Sequence, residues 1–395
     1  MNFQKTPKTQ TSFLDKENAD FVKFQKIFNR KTLSNEVPLA IDVQKNIPLY
    51  DGSFINKAAI EKSSRKQVLN EWAAVLREGA GIIIIKRGIT DLEIISRATE
   101  IFTNLIEKEK FKAVGGGDHF AKAGANDRIW NALEKHCLSD STNFAHYYSS
   151  FSIHLAAEAW LGPSYQMTAQ VNRVNPGGEA QKPHRDYHLG FMTLEQAEKY
   201  PSHVHGFCSY LTLQGAVAHC NMPVESGPTQ LLPFSQLFHE GYLAVGRDEF
   251  QNYFSKHSIQ MPLEKGDLLF FNPAVFHAAG QNTSTDIYRM ANLLQISSAL
   301  GRSMETVNRH KMSLKLYPSL LEAKQKKSLT ELELENAIAA CAEGYSFPTN
   351  LDMDPPLKGH APLTQAQFVK KALNSEKPLK WLKKELLNLA NRQKR

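Results

Sequence analysis

Apolar residues recur along this chain at two different periods, and the switches between them mark out helices and strands. Spacings of three and four put Val68, Leu69, Trp72, Val75 and Leu76 on one side of a helix over 64–77. Gly79-Ala80-Gly81 ends it before Ile82-Ile83-Ile84-Ile85, which reads as a buried strand. Asp91 can cap a second helix through about Phe111, with Ile94, Ile95, Ala98, Ile101, Phe102 and Leu105 inward. Gly115-Gly116-Gly117 breaks it. No Lys-Ser or Lys-Thr follows, so this reads as a flexible loop near a site mouth and not as a phosphate loop. A third helix is expected over 142–161, with an aromatic stripe turned to the core, closed by Gly162-Pro163.

Beyond it, Tyr165 to Val174 alternates as a strand and runs into the turn Asn175-Pro176-Gly177-Gly178. The stretch 203–222 contains a long strand, Tyr210 to Ala218, expected between the two strands that carry the chemistry described below. Lys265-Gly266-Asp267 turns the chain into Leu268-Leu269-Phe270-Phe271-Asn272, and Pro273-Ala274-Val275-Phe276 delivers His277 near the far end of that strand. Turn chemistry over 278–286 precedes a last strand, Ile287 to Ile296. Residues 1 to about 50 are polar and read as a partly ordered arm. The segment Pro348 to Pro356 is an extended loop that either covers the site or, more commonly, connects elements at the surface.

The chain has 395 residues, 42% apolar and 22% charged, ordinary values for a globular protein with a full core. Four cysteines without a Cys-x-x-Cys spacing, Cys137, Cys208, Cys220 and Cys341, exclude a disulfide framework and a zinc ribbon and fit a reducing compartment. No run approaches the roughly 20 apolar residues needed to span a bilayer, and the N-terminus lacks a secretory core, so a cytoplasmic location is expected. Part of the net charge of +7 lies in 377–395, where Leu379, Leu382, Leu386 and Leu389 predict a docked amphipathic helix and not a nucleic-acid or membrane surface.

The informative chemistry is His184-Arg185-Asp186. Residues i and i+2 of an extended chain share a side, so His184 and Asp186 can offer an imidazole nitrogen and a carboxylate oxygen to one ion, with His277 completing three ligands from a neighbouring strand. Two His and one carboxylate suit ferrous iron with positions left open for a bidentate cosubstrate and dioxygen; an all-protein zinc cage would fill those positions. Arg289, in a mostly apolar run, needs a bidentate acid partner once desolvated, and the distal carboxylate of 2-oxoglutarate fits that need. A structural salt bridge is the plainer alternative for it. Asn172 and Gln170 are candidate cosubstrate contacts, and His188 a candidate for a supporting or substrate role. The other histidines, such as His203, His205, His219, His239 and His257, read as surface or core residues.

This stretch resembles the phytanoyl-CoA dioxygenase family, through His184-Arg185-Asp186, Glu225-Ser226-Gly227-Pro228-Thr229-Gln230-Leu231-Leu232-Pro233, Lys265-Gly266-Asp267, His277 and Arg289. The likeness covers roughly residues 79 to 300. It implies that His184, Asp186 and His277 bind iron(II), that Arg289 anchors 2-oxoglutarate, and that Gln166 contacts the cosubstrate. Relatives commonly read Pro-Gly-Ser-His where this chain has Pro233-Phe234-Ser235-Gln236, which weakens any borrowed substrate assignment. Family halogenases lack the ligand carboxylate, so Asp186 favours hydroxylation or another oxidation. The implied fold is α+β, a double-stranded β-helix (jelly-roll, cupin-like) core flanked by α-helices. The expected organisation is an arm over 1–60, the oxygenase domain over 61–300 and a helical extension over 301–395. The expected partners are dioxygen and a small organic substrate. A cupin-like isomerase or lyase, which has no use for Arg289, and a non-catalytic binding protein remain as alternatives.

Overall fold

The computed structural model describes residues 12–111 and 124–394. Its strands in chain order are β1 (Asp42–Gln44), β2 (Ile47–Asp51), β3 (Ile82–Lys86), β4 (Asn126–Ile129), β5 (Gln166–Val174), β6 (Thr212–Ala218), β7 (Gln230–Leu232), β8 (Ile259–Gln260), β9 (Leu268–Phe271), β10 (Phe276–Ala278) and β11 (Arg289–Ser297). An eight-stranded sheet has the order β1-β2-β3-β9-β6-β11-β5-β4, and a three-stranded sheet has the order β10-β7-β8. Every pairing is antiparallel except β2 with β3. The two sheets form the double-stranded β-helix core of an α+β fold.

Period-two side chains decide which face meets what. Met167, Ala169 and Val171 of β5, Leu213 and Val217 of β6, and Leu268 and Phe270 of β9 point outward into the main core, where helices supply Trp72, Phe102, Tyr147 and Leu155. The alternate positions, among them Ile82, Ile84, Leu269 and Phe271, meet Leu231, Met261, Leu263 and Val275 in a second core between the sheets. One-residue register slips would exchange these faces, so burial on both sides fixes the pairing. Helices Lys62–Arg77 and Leu92–Phe111 form where the spacing predicts, and Asp91 caps the second through its Oδ1, which accepts from Glu93 N at 3.0 Å. Helices Arg309–Lys326, Glu331–Cys341, Gln365–Asn374 and Leu379–Gln393 make up the C-terminal part, and Leu382, Leu386 and Leu389 bury the last of these against the core. No helix of the described residues is long and apolar enough to cross a membrane.

Several elements differ from expectation. The helix foreseen over 142–161 is two, Ser141–Tyr147 and Phe151–Leu161, because the Ser149 hydroxyl donates to His146 O at 2.8 Å and Ser150 leaves the helical region at ψ 119°. Segment 202–211 is helical, so the expected strand begins only at Thr212. It lies between β9 and β11 in the large sheet, not between the segments that carry His184 and His277. His277 does not continue β9; the chain leaves that strand at Asn272-Pro273 and crosses to the small sheet as β10. Residues 42–51, read as arm, add β1 and β2 to the large sheet. Loop 348–356 lines no part of the central cavity: Asn350 donates to Lys394 O at 2.7 Å and Asp354 pairs with Arg392 at 3.0 Å. The triple glycine at 115–117 falls outside the described residues.

Gly215 sits in mid-strand because a Cβ there would come within 2.4 Å of the buried Phe270 ring. Gly215→Ala is expected to lower stability by about 1–3 kcal/mol through overpacking. Chemical denaturation measures this, and an unchanged midpoint would contradict the packing described.

Candidate metal centre

After β5 the turn at Asn175-Pro176-Gly177-Gly178, with Gly177 at φ 80°, reverses the chain. The next segment runs antiparallel beside β10. Gln181 N donates to Ala279 O at 2.9 Å and Asp186 N to Pro273 O at 3.1 Å. His184 and His277 exchange both backbone hydrogen bonds, His184 N to His277 O at 3.0 Å and His277 N to His184 O at 3.1 Å. Directly opposed residues share a face, so the imidazoles stand side by side with ring centroids 4.4 Å apart. Asp186, two residues on from His184, joins that face.

Each ring is oriented by a carbonyl two residues upstream. His184 Nδ1 lies 2.9 Å from Lys182 O and His277 Nδ1 lies 2.8 Å from Val275 O. A carbonyl only accepts, so Nδ1 carries the proton, and in a neutral ring Nε2 is then the nitrogen whose lone pair faces the site. Burial, and then neighbouring His277, push the His184 imidazole below its usual pKa, which keeps it in the neutral, ligating form. Burial pushes the Asp186 carboxyl up, but the His277 and His184 rings and the Gln214 amide outweigh that and hold it below the usual value. Asp186 Oδ2 is 3.6 Å from His277 Nε2. The three donors lie within 4.8 Å of one another. One point is therefore within roughly 2.8 Å of all three, close to the ~2.0–2.2 Å of metal–nitrogen and metal–oxygen bonds. Nitrogen and oxygen donors without thiolate, three in number, fit an open ferrous site.

Arg185, between two of these residues, points the other way. It is fully buried and donates to Phe238 O at 2.8 Å and to Ser235 O, with the Tyr242 and Phe276 rings 5.3 and 5.1 Å from its guanidinium carbon. Gly241 makes room for it, since a Cβ there would lie 2.0 Å from that carbon. Burial lowers Arg185 to about 10, so it stays charged at neutral pH. Tyr242 adds a hydrogen bond from its hydroxyl to Asp186 O at 2.9 Å. These contacts pin the extended segment without touching the donor face.

The donors open into a cavity of about 870 Å³ between the sheets, floored by the inward positions of β5, β6, β9 and β11. Arg289 lines it from the first position of β11, in the large sheet across from the segments that carry the three donors and not beside their strand. Its exposure is 7%, and among the described residues no carboxylate pairs with it. Burial lowers it to about 10, still a cation at neutral pH. Asn172 and Gln170 also line the cavity, and Asn172 Oδ1 is buried without a protein partner. Asn172 pairs with Ala291, one step along the same face from Arg289.

Gln166 is not brought to the cavity. Its amide donates to Ser298 O at 2.8 Å and Gly301 O at 3.1 Å. It shares the face of Gln170 and Asn172 but lies four residues from Gln170, ~13 Å along the strand. His188 does not line the cavity either and stands edge-on to Tyr187, centroids 5.9 Å apart. The sequence reading missed Gln214 and Gln295, whose signal was a polar residue within a buried strand, and the Lys182 and Val275 carbonyls, which have none.

The family model of phytanoyl-CoA dioxygenase (PhyH) matches residues 67–291. Iron and 2-oxoglutarate are the cofactors that go with that family, and the donor set fits the metal. No curated protein matches in sequence. Among solved structures, the non-heme alpha ketoglutarate dependent carbocyclase SnoK from nogalamycin biosynthesis is 20% identical, covering 62% of this chain and 89% of that one at a TM-score of 0.44. The non-heme alpha ketoglutarate dependent epimerase SnoN from nogalamycin biosynthesis is 18% identical, covering 59% of this chain and 82% of that one at a TM-score of 0.43.

A metal that binds only the folded protein raises stability by about 2.7 kcal/mol at a hundred times its dissociation constant. Anaerobic iron(II) is expected to raise the unfolding temperature of the wild type and to leave Asp186→Ala unmoved. An equal shift in both proteins would contradict the centre.

Proposed function

We propose that this chain, which belongs to the phytanoyl-CoA dioxygenase family, is an iron(II)- and 2-oxoglutarate-dependent dioxygenase that hydroxylates or otherwise oxidises a small organic substrate. In this reading His184, Asp186 and His277 hold the metal and Arg289 anchors the cosubstrate. The observation that carries it is one cavity holding both an open three-donor group and a buried guanidinium with no acid partner among the described residues. When bound, the iron and 2-oxoglutarate couple decarboxylation of the cosubstrate, to succinate and carbon dioxide, with oxidation of the substrate by dioxygen.

The residues contribute binding and orientation. Arg289 offers a planar fork of donors to the distal carboxylate, and its burial strengthens that charge-assisted pair. Asn172, a step away on the same face, is placed to add a polar contact. Phe271 stands against the His277 ring at 4.8 Å and keeps water from one side of it. The remaining cavity takes the substrate. A cupin-like isomerase or lyase would leave Arg289 a buried cation with no function, at a cost of several kcal/mol. Residues 61–300 carry the catalytic unit in this reading, and four free cysteines support a cytoplasmic setting.

The test is succinate release from 2-oxoglutarate under air, screened over small organic acids, thioesters and amino-acid derivatives. Arg289→Ala is expected to raise the KM for 2-oxoglutarate by roughly 30-fold or more, about 2 kcal/mol for a buried charge-assisted pair. Turnover that needs no 2-oxoglutarate, or that survives Arg289→Ala with an unchanged KM, would contradict the reading.

A further inference from the structure

We propose that Gln214 and Gln295 are positioning residues: two glutamines, paired on the floor of the cavity, that clamp the metal-bearing segment from the opposite sheet. The inference rests on the iron reading above. Strands β6 and β11 pair in register with Gln214 opposite Gln295, so both side chains rise from one face toward the same segment. Gln214 Nε2 donates to Asp186 Oδ2 at 2.5 Å. Beside it, the Tyr187 hydroxyl donates to Gln295 Oε1 at 2.7 Å. Consecutive residues of the segment are thus held by neighbouring residues of the sheet, while Asp186 N is tied on its other edge to Pro273 O at 3.1 Å.

The orientation of the Gln214 amide follows from the carboxylate. An ionised carboxylate only accepts, so the amide must present its NH₂ and turn Oε1 away. Oε1 is then buried without a partner, a cost of about 1–3 kcal/mol. The bond to Asp186 therefore fixes the amide against that cost. Oδ2 is also the oxygen 3.6 Å from His277 Nε2, so the amide engages the oxygen that faces the other ligands and leaves its second lone pair for the ion. A neutral donor suits this task. Lysine or arginine at 214 would neutralise the ligand charge that the metal needs, and glutamate would repel it. Asparagine would fall one methylene short. Both glutamines are buried, and a buried polar side chain needs hydrogen-bond partners to offset its desolvation.

Anaerobic titration with cobalt(II), followed by its visible d–d absorption, tests the clamp in the full-length protein. Gln214→Met keeps length and volume but removes the donor. It is expected to weaken cobalt(II) binding by roughly 10–100-fold and to alter the band shape, as losing a hydrogen bond to a ligand does elsewhere. Tyr187→Phe, which removes the hydroxyl and keeps the ring, is expected to weaken binding a few-fold. Wild-type affinity and spectrum in both variants would overturn the clamp while leaving the iron reading in place. Should Gln214→Met fail to fold, Tyr187→Phe decides alone: a few-fold loss supports the clamp and an unchanged affinity overturns it. A wild-type protein that takes up no cobalt(II) overturns the iron reading and the clamp together.

Discussion

Two backbone hydrogen bonds between His184 and His277 set the geometry on which the rest of the site depends. They join a segment that belongs to neither sheet to the edge of the small one, and so bring residues 93 positions apart in sequence directly opposite each other. Once that pair forms, side-chain alternation places Asp186 on the same face without further instruction. The upstream carbonyls of Lys182 and Val275 then turn both imidazoles the same way. Three donors converge because of backbone pairing, and the side chains contribute the final orientation.

Two buried arginines show how differently the fold treats a cation with and without a ligand to meet. Arg185 is sunk among backbone carbonyls and aromatic rings, its charge spread over groups that stay in place whatever occupies the cavity. Arg289 is as buried, yet among the described residues no carboxylate pairs with it across the cavity it faces. Leaving a desolvated guanidinium unpaired costs several kcal/mol, so its retention calls for a compensating group that arrives from outside. A keto-diacid whose other end reaches the metal meets both demands at once.

Much of this was legible in the sequence where burial is two-sided. The four isoleucines of β3, the alternation of β5 and the apolar runs of β9 and β11 announce themselves because each face packs against something, and the His-x-Asp spacing carries its own geometry. Short elements were not legible: β1 and β2 hold eight residues between them, and their place is set by β1 pairing with β2 and β2 with β3. The crossing at Pro273 was hidden because an apolar run reads the same whether it stays in one sheet or passes to the next. Gln166 shows a further limit, since its face in the strand was right and its distance along the strand was not. Gln214 and Gln295 stand out locally only as polar residues in buried strands; that they lie side by side depends on which strands become neighbours.

Adding 2-oxoglutarate to the iron(II)-loaded protein in the absence of oxygen tests the central claim most directly, because it requires the three donors, the open positions and the guanidinium to act together. The account predicts a weak visible charge-transfer absorption that grows with 2-oxoglutarate and saturates at one equivalent. A folded, iron-bound protein that develops no such band would contradict it.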